Sequence, residues 1–252
     1  MGIAVITGAS SGLGRAYALA LNQMRPEIDE YWLIARRADR LIALAKELPG
    51  KKTRILALDL TKGEDMCALK EALQGEKPDV SYLINSSGIG QLGNFSDIAC
   101  ELSATTVNLN CTALTEVTAI VLPYMKTGTS IINVSSIAAF LPTARMSVYS
   151  ATKAYVLAFS RALRCELKAR GIHVLAVCPG PMDTEFLDVA GIRGQSRLFS
   201  FLKRAEPESV AKQSIQAADK GHAVCTSLWF YKVYRVLCKI IPHSWLIPFS
   251  KC

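Results

Sequence analysis

The sequence predicts an α/β fold with a doubly wound parallel sheet, and three observations carry that prediction. Short apolar runs alternate with helical patterns along most of the chain. The first run enters a glycine-containing loop that opens directly into a helical pattern. With 252 residues, half hydrophobic and a fifth charged, the chain can bury a full core as a single domain.

In chain order, strands are predicted over residues 3–7, 31–35, 54–58, 80–84, 130–134 and 173–177, each a short apolar run. Helical patterns fill the intervals. The first runs from Arg15 to Met24, and a later one carries Tyr149 and continues to about Arg170, where Gly171 stops it. Residues 222–226 suggest a short last strand. Residues 228–241 read as an apolar helix with Lys232, Arg235 and Lys239 along one side, followed by Pro242, Trp245 and Pro248. There is no repeat and no low-complexity segment.

The loop Gly8-Ala9-Ser10-Ser11-Gly12-Leu13-Gly14 lies between strand and helix, the order a dinucleotide site requires. Small residues let phosphates approach the backbone, and glycines reach dihedrals that side chains forbid. Its spacing, Thr-Gly, three residues, Gly-x-Gly, differs from G-x-G-x-x-G. A Rossmann strand order is expected, with the site at the carboxyl ends of the strands.

Tyr149 and Lys153 are four residues apart, so on a helix they share a face. A nearby ammonium favours the phenolate and lowers the Tyr pKa. A phenol tuned in this way exchanges a proton with a carbonyl or alcohol oxygen.

Together these two motifs resemble the short-chain dehydrogenase/reductase family, and the resemblance extends over roughly residues 2–185. It implies a catalytic Ser thirteen positions before the Tyr, which is Ser136 at the end of Ser130-Ile131-Ile132-Asn133-Val134-Ser135-Ser136. It implies a fourth catalytic residue, an Asn on the preceding helix. Val107-Asn108-Leu109 resembles that site, so Asn108 is the expected residue, with Asn110 as the alternative alignment. Asn85-Ser86-Ser87-Gly88 resembles the family's Asn-Asn-Ala-Gly stretch, with small polar replacements at its second and third positions. Pro179-Gly180-Pro181-Met182-Asp183-Thr184 resembles the loop whose Thr holds the nicotinamide carboxamide. Asp59, in Leu58-Asp59-Leu60, resembles the residue that fixes the adenine. The implied cofactor contacts are Gly8, Ser10, Ser11, Gly12, Leu13, Gly14, Arg36, Arg37, Asp59, Leu60, Asn85, Ser86, Gly88, Tyr149, Lys153, Pro179, Gly180, Met182 and Thr184. In the implied chemistry Tyr149 is the acid/base, Lys153 bonds the ribose, Ser136 orients the substrate oxygen and Asn108 holds a water.

Cofactor choice is read at the end of the second strand, where NAD enzymes usually place an acidic residue for the ribose 2′-hydroxyl. Here that position is Ala35, followed by Arg36 and Arg37. Guanidinium groups suit a 2′-phosphate. NADP(H) is therefore the expected cofactor, with NAD as the alternative.

Substrate identity falls after the Pro-Gly loop. Residues 183–205 contain Phe186, Leu187, Val189, Ile192, Leu198, Phe199, Phe201 and Leu202. They form either a lid over an apolar substrate or a helix packed on the core. The expected activity interconverts a ketone and a secondary alcohol on a mainly apolar small molecule, steroid-like or ketoacyl. The alternatives are an NAD-dependent alcohol dehydrogenase and a non-catalytic dinucleotide-binding sensor. Residues 227–252 are read as an extension with no acidic residue. They fit a helix packed on its own domain with lysines outward, a dimer surface, a cleft cover or an interfacial membrane helix. The first of these is the expectation.

The net charge of +8 comes from scattered Lys and Arg, not a basic run, which argues against nucleic acid. No stretch reaches the ~18 apolar residues of a membrane span. Eight Cys without C-x-x-C, and three His far apart, predict no metal site and a reducing cytoplasm. The chain begins in its first strand, so no leader is expected. A homodimer or homotetramer is the expectation that the family resemblance carries.

Overall fold

A computed structural model of the protein describes residues 2–192 and 204–250. Seven parallel strands form one sheet in the order β3-β2-β1-β4-β5-β6-β7. They are β1 (Gly2–Thr7), β2 (Ile28–Ala35), β3 (Lys52–Ala57), β4 (Val80–Asn85), β5 (Met125–Val134), β6 (His173–Val177) and β7 (Val224–Cys225). The six strands predicted from their apolar runs are all present. β2 and β5 extend several residues further toward their N-termini, because residues before the apolar runs still pair with neighbouring strands.

Helices cover both faces, which explains the continuous apolar character of the central strands. In chain order they are α1 (Gly12–Met24), α2 (Ala38–Lys46), α3 (Gly63–Glu76), α4 (Cys100–Val107), α5 (Leu114–Val121), α6 (Ser147–Leu167), α7 (Glu185–Val189), α8 (Pro207–Asp219), α9 (Trp229–Ile240) and α10 (His243–Leu246). One core layer packs β1, β2 and β4 side chains such as Ile6, Leu33 and Ile84 against α1 and α8. The other packs Val5, Trp32, Leu83 and Ile131 against α3, α5 and α6. Gly171, at φ +66, ends the α6 region as expected.

Between α4 and α5 the helix widens into a π turn, Asn108–Ala113. Such a turn adds one residue to the helical cycle and rotates the side chains that follow it. Between β4 and β5 the sheet is tied to the helix layer by buried amides. Asn85 Nδ2 donates to Asn133 Oδ1 and Thr118 Oγ1, both at 2.9 Å, and Asn133 Nδ2 donates to Ser160 Oγ at 3.0 Å. Asn85, expected among the cofactor contacts, thus has its side-chain donor committed to the sheet–helix seam.

The C-terminal helix α9 differs from the expectation. It does pack on its own domain, through Tyr231 and Cys238, but apolar residues as well as lysines face outward. No helix among the described residues is long and apolar enough to cross a membrane.

Candidate active site

The carboxyl ends of β1, β4, β5 and β6 converge on one cleft. At β1 the chain turns through Gly8, whose φ of +68 is left-handed. A Cβ on Gly14 would lie 2.2 Å from the Gly8 carbonyl oxygen, so only glycine lets α1 start so close to the turn. The first turn of α1 carries no acidic residue, leaving its backbone N–H groups compatible with a pyrophosphate. Thr7 Oγ1 accepts from the backbone N–H of Ser86 and Ser87, at 3.1 and 3.2 Å, which locks the β4 turn beside the glycine loop.

At the adenosine end, Arg37 Nη2 donates to Ser10 Oγ at 3.2 Å and pairs with Glu185 at 2.8 Å. Arg40 stands 3.7 Å from the same carboxylate. Hydrogen bonding from Arg37 holds the Glu185 carboxyl below its ordinary range, with the Arg37 and Arg40 charges adding to the effect against partial burial. Partial burial would raise the Asp59 pKa, but bonds from Thr61 and the Arg36 and Lys62 charges outweigh it and hold Asp59 low. Arg37 and Arg40 thus hold an anion at this end, and a ligand phosphate would take Arg37 over from Glu185. The residues present fit a phosphate-bearing dinucleotide at this end of the cleft.

At the other end, Ser136 caps a short 3-10 turn, accepting from Ala138 N at 3.2 Å, and its hydroxyl favours the ionised form of the Tyr149 phenol. Lys153, 5 % exposed, donates from Nζ to the Val134 carbonyl at 2.9 Å and lies 5.7 Å from the Tyr149 ring centroid. Ser135 Oγ donates to the Lys153 carbonyl at 2.7 Å and fixes this part of α6 against β5. Burial pushes the Tyr149 phenol up to about 12, against the lowering effect of the Ser136 hydroxyl. Burial pushes Lys153 down to about 8. The sequence reading, in which the ammonium lowers the Tyr pKa, is not what this arrangement gives. Loss of water around the phenol dominates, and Lys153 directs its nitrogen to a backbone carbonyl.

The two candidate asparagines separate cleanly. Asn110, 1 % exposed, accepts from Ile89 N at 3.0 Å and donates to Ile89 O at 2.8 Å and Thr152 Oγ1 at 3.0 Å. A Cβ on Gly88 would stand 3.1 Å from Asn110 Oδ1 and 3.2 Å from Lys153 Nζ, so the two groups flank one point. Asn108 faces away and donates to Thr61 O at 3.3 Å, toward the adenosine end. The expected Asn108 is thus corrected in position: the π turn rotates Asn110, not Asn108, to Lys153.

Over the phenol lies Phe186 of α7, with ring centroids 5.4 Å apart. Leu187, Ala190 and Ile192 join Met146 and Leu92 in the same apolar cluster. Val189 faces outward, while Leu198, Phe199, Phe201 and Leu202 lie outside the described residues. Thr184 abuts Gly12, within 3.4 Å of where a Cβ there would stand. Thr152, which orients Asn110, and Glu185, which reaches Arg37, were missed in the sequence. The Thr152 contact spans 42 positions and the Glu185 contact 148, and no local pattern encodes either. Among the described residues no cluster of metal-ligating side chains occurs.

Several known dehydrogenases are similar to this chain. Serine 3-dehydrogenase from Agrobacterium fabrum is 36 % identical over 191 residues, covering 73 % of this chain and 74 % of its own. A short-chain dehydrogenase from Sphingobium yanoikuyae, solved in complex with NADPH, is 31 % identical with a TM-score of 0.81, covering 96 % of this chain and 97 % of its own. The bulky-bulky ketone specific alcohol dehydrogenase from Comamonas testosteroni is 27 % identical with a TM-score of 0.78, covering 95 % of this chain and 92 % of its own. The family model for short chain dehydrogenase matches residues 2–191. The chain belongs to the short-chain dehydrogenase/reductase family of nicotinamide-dependent oxidoreductases.

Proposed function

We infer that this protein is an NADP(H)-dependent oxidoreductase that interconverts a ketone and a secondary alcohol on a mainly apolar small molecule. The observation that supports the chemistry is the gathering of buried Ser136 and Lys153 with Tyr149 at one end of the cleft, with Lys153 Nζ 5.7 Å from the Tyr149 ring. At neutral pH a phenol raised to about 12 is protonated, so Tyr149 is set to give its proton to a carbonyl oxygen. Ser136 orients that oxygen. Lys153, still mostly charged at pH 7, holds ribose hydroxyls, and Asn110, beside Lys153, takes the fourth role of holding a water that links Lys153 to solvent. The bound nicotinamide supplies the hydride for reduction, or accepts it for oxidation.

NADP(H) is favoured by Ala35 at the acidic position and by Arg37 at the lip of the glycine loop, a guanidinium that can exchange Glu185 for a 2′-phosphate. The NADPH carried by the Sphingobium relative is consistent with that preference. The apolar substrate is supported by Phe186, Leu187, Ile192 and Leu92 around Tyr149. Steroid-like and ketoacyl ketones fit such a lining. The test is NADPH oxidation, with NADH as comparison, across steroid, ketoacyl, diketone and small polar aldehyde substrates. Faster turnover with NADH, or turnover of polar aldehydes alone, would overturn the reading.

A further inference from the structure

We propose that α9 and the segment after it form a docking surface for an anionic lipid bilayer, on which this enzyme works as a peripheral protein. Three sectors divide the helix. Phe230, Tyr231, Tyr234 and Cys238 point to the domain, with the Tyr231 ring so close over Gly180 that a Cβ there would lie 2.1 Å from it. Trp229, Val233, Val236, Leu237 and Ile240 occupy an outward arc of roughly 100° at helical spacing, with Trp229 75 % and Ile240 73 % exposed. Lys232, Arg235 and Lys239 fill the sector between the two. Trp245, 70 % exposed on α10, extends the outward apolar surface.

The concentration is what separates this face from ordinary surface scatter. Of the twelve large apolar residues exposed among the described residues, six lie between Trp229 and Trp245. After Asp219 the chain has five Lys or Arg and no Asp or Glu, so this end carries five of the eight net positive charges. An apolar stripe bordered by cations, with tryptophans at its ends, matches an interfacial helix lying in the plane of a bilayer. Its apolar face would sink among the acyl chains while the lysines meet anionic headgroups. A second copy of the chain is the weaker occupant. Two-fold contact through this stripe would bring three cations of each copy together, with no acidic residue in the segment to offset them. Docking through α9 also places the Pro179-Gly180 loop, and with it the substrate cleft, close to the lipid surface.

The test uses the full chain with vesicles of phosphatidylcholine alone and with a minor share of phosphatidylserine. Partitioning onto the anionic vesicles is expected to be about tenfold or more stronger, and to weaken with salt. Trp32 is fully buried, so a blue shift of tryptophan emission on binding reports Trp229 and Trp245. The exposed-site variant Val236→Glu/Ile240→Glu should lose binding about tenfold or more, and Lys232→Gln/Lys239→Gln should lose the preference for anionic vesicles, both with unchanged circular dichroism. No binding by the parent, equal binding to both vesicle types, or parental binding by the glutamate variant would each overturn the proposal. So would a parent dimer that ignores vesicles and is split by the glutamate variant, which would make the stripe a self-contact.

Discussion

Tyr149 sits where loss of water, not the neighbouring ammonium, sets its proton affinity, and this gives the pH behaviour a definite sign. Tyr149→Phe removes the proton donor and should lower turnover by about a hundredfold or more, while the dissociation constant for NADPH, followed by fluorescence, changes little. Lys153 carries a folded pKa of about 8 against an ordinary value of 10.5. The unfolded chain therefore binds more protons between those values, and this group's effect on stability improves as pH rises through that window. Lys153→Met should abolish activity yet stabilise the protein at pH 7 by about 2 kcal/mol in denaturant titrations, after allowance for the lost bond to Val134. That gain should vanish by about pH 10.5. A loss of stability at pH 7 would contradict the desolvation argument. Asn110→Ala should impair both turnover and stability, whereas Asn108→Ala should leave turnover within about threefold.

At the scale of elements, the π turn explains why one sequence reading missed by two positions. Regular 3.6-residue periodicity gives no warning of an inserted residue, and either Asn fits the spacing of the helix. Ser136, Tyr149 and Lys153 were legible because they occupy a strand end and one helical face, where spacing fixes direction. The outward apolar arc of α9 was not legible, since its pattern is apolar on two sides and the sequence cannot say which side the domain takes. Gly180 decides that question by admitting the Tyr231 ring. Gly180→Ala should cost about 1–3 kcal/mol, and much less in a Tyr231→Ala background, as measured by a double-mutant cycle of urea midpoints. Equal penalties in both backgrounds would mean that α9 is not seated on that loop.

For the molecule as a whole, sheet order and cleft position follow from alternation and the glycine loop, but cofactor selectivity depends on contacts between distant segments. Arg37→Ala should raise KM for NADPH about tenfold or more and leave NADH nearly unchanged, as read from initial rates with each cofactor. Equal losses would assign Arg37 to structure alone. The pairing of Arg37 with Glu185 links the adenosine end to the stretch that closes over Tyr149, a connection no local motif encodes. That stretch is stitched at its base: Met182 and Ala205 form a parallel bridge, Ala205 N donates to Pro181 O at 2.9 Å, and Arg204 lies 3.3 Å from Asp183. Because the stitch fixes Met182 and Ala205 to each other, Glu185 and Phe186 hang from one anchored root, and loosening it would slacken the adenosine end and the cover over the phenol together.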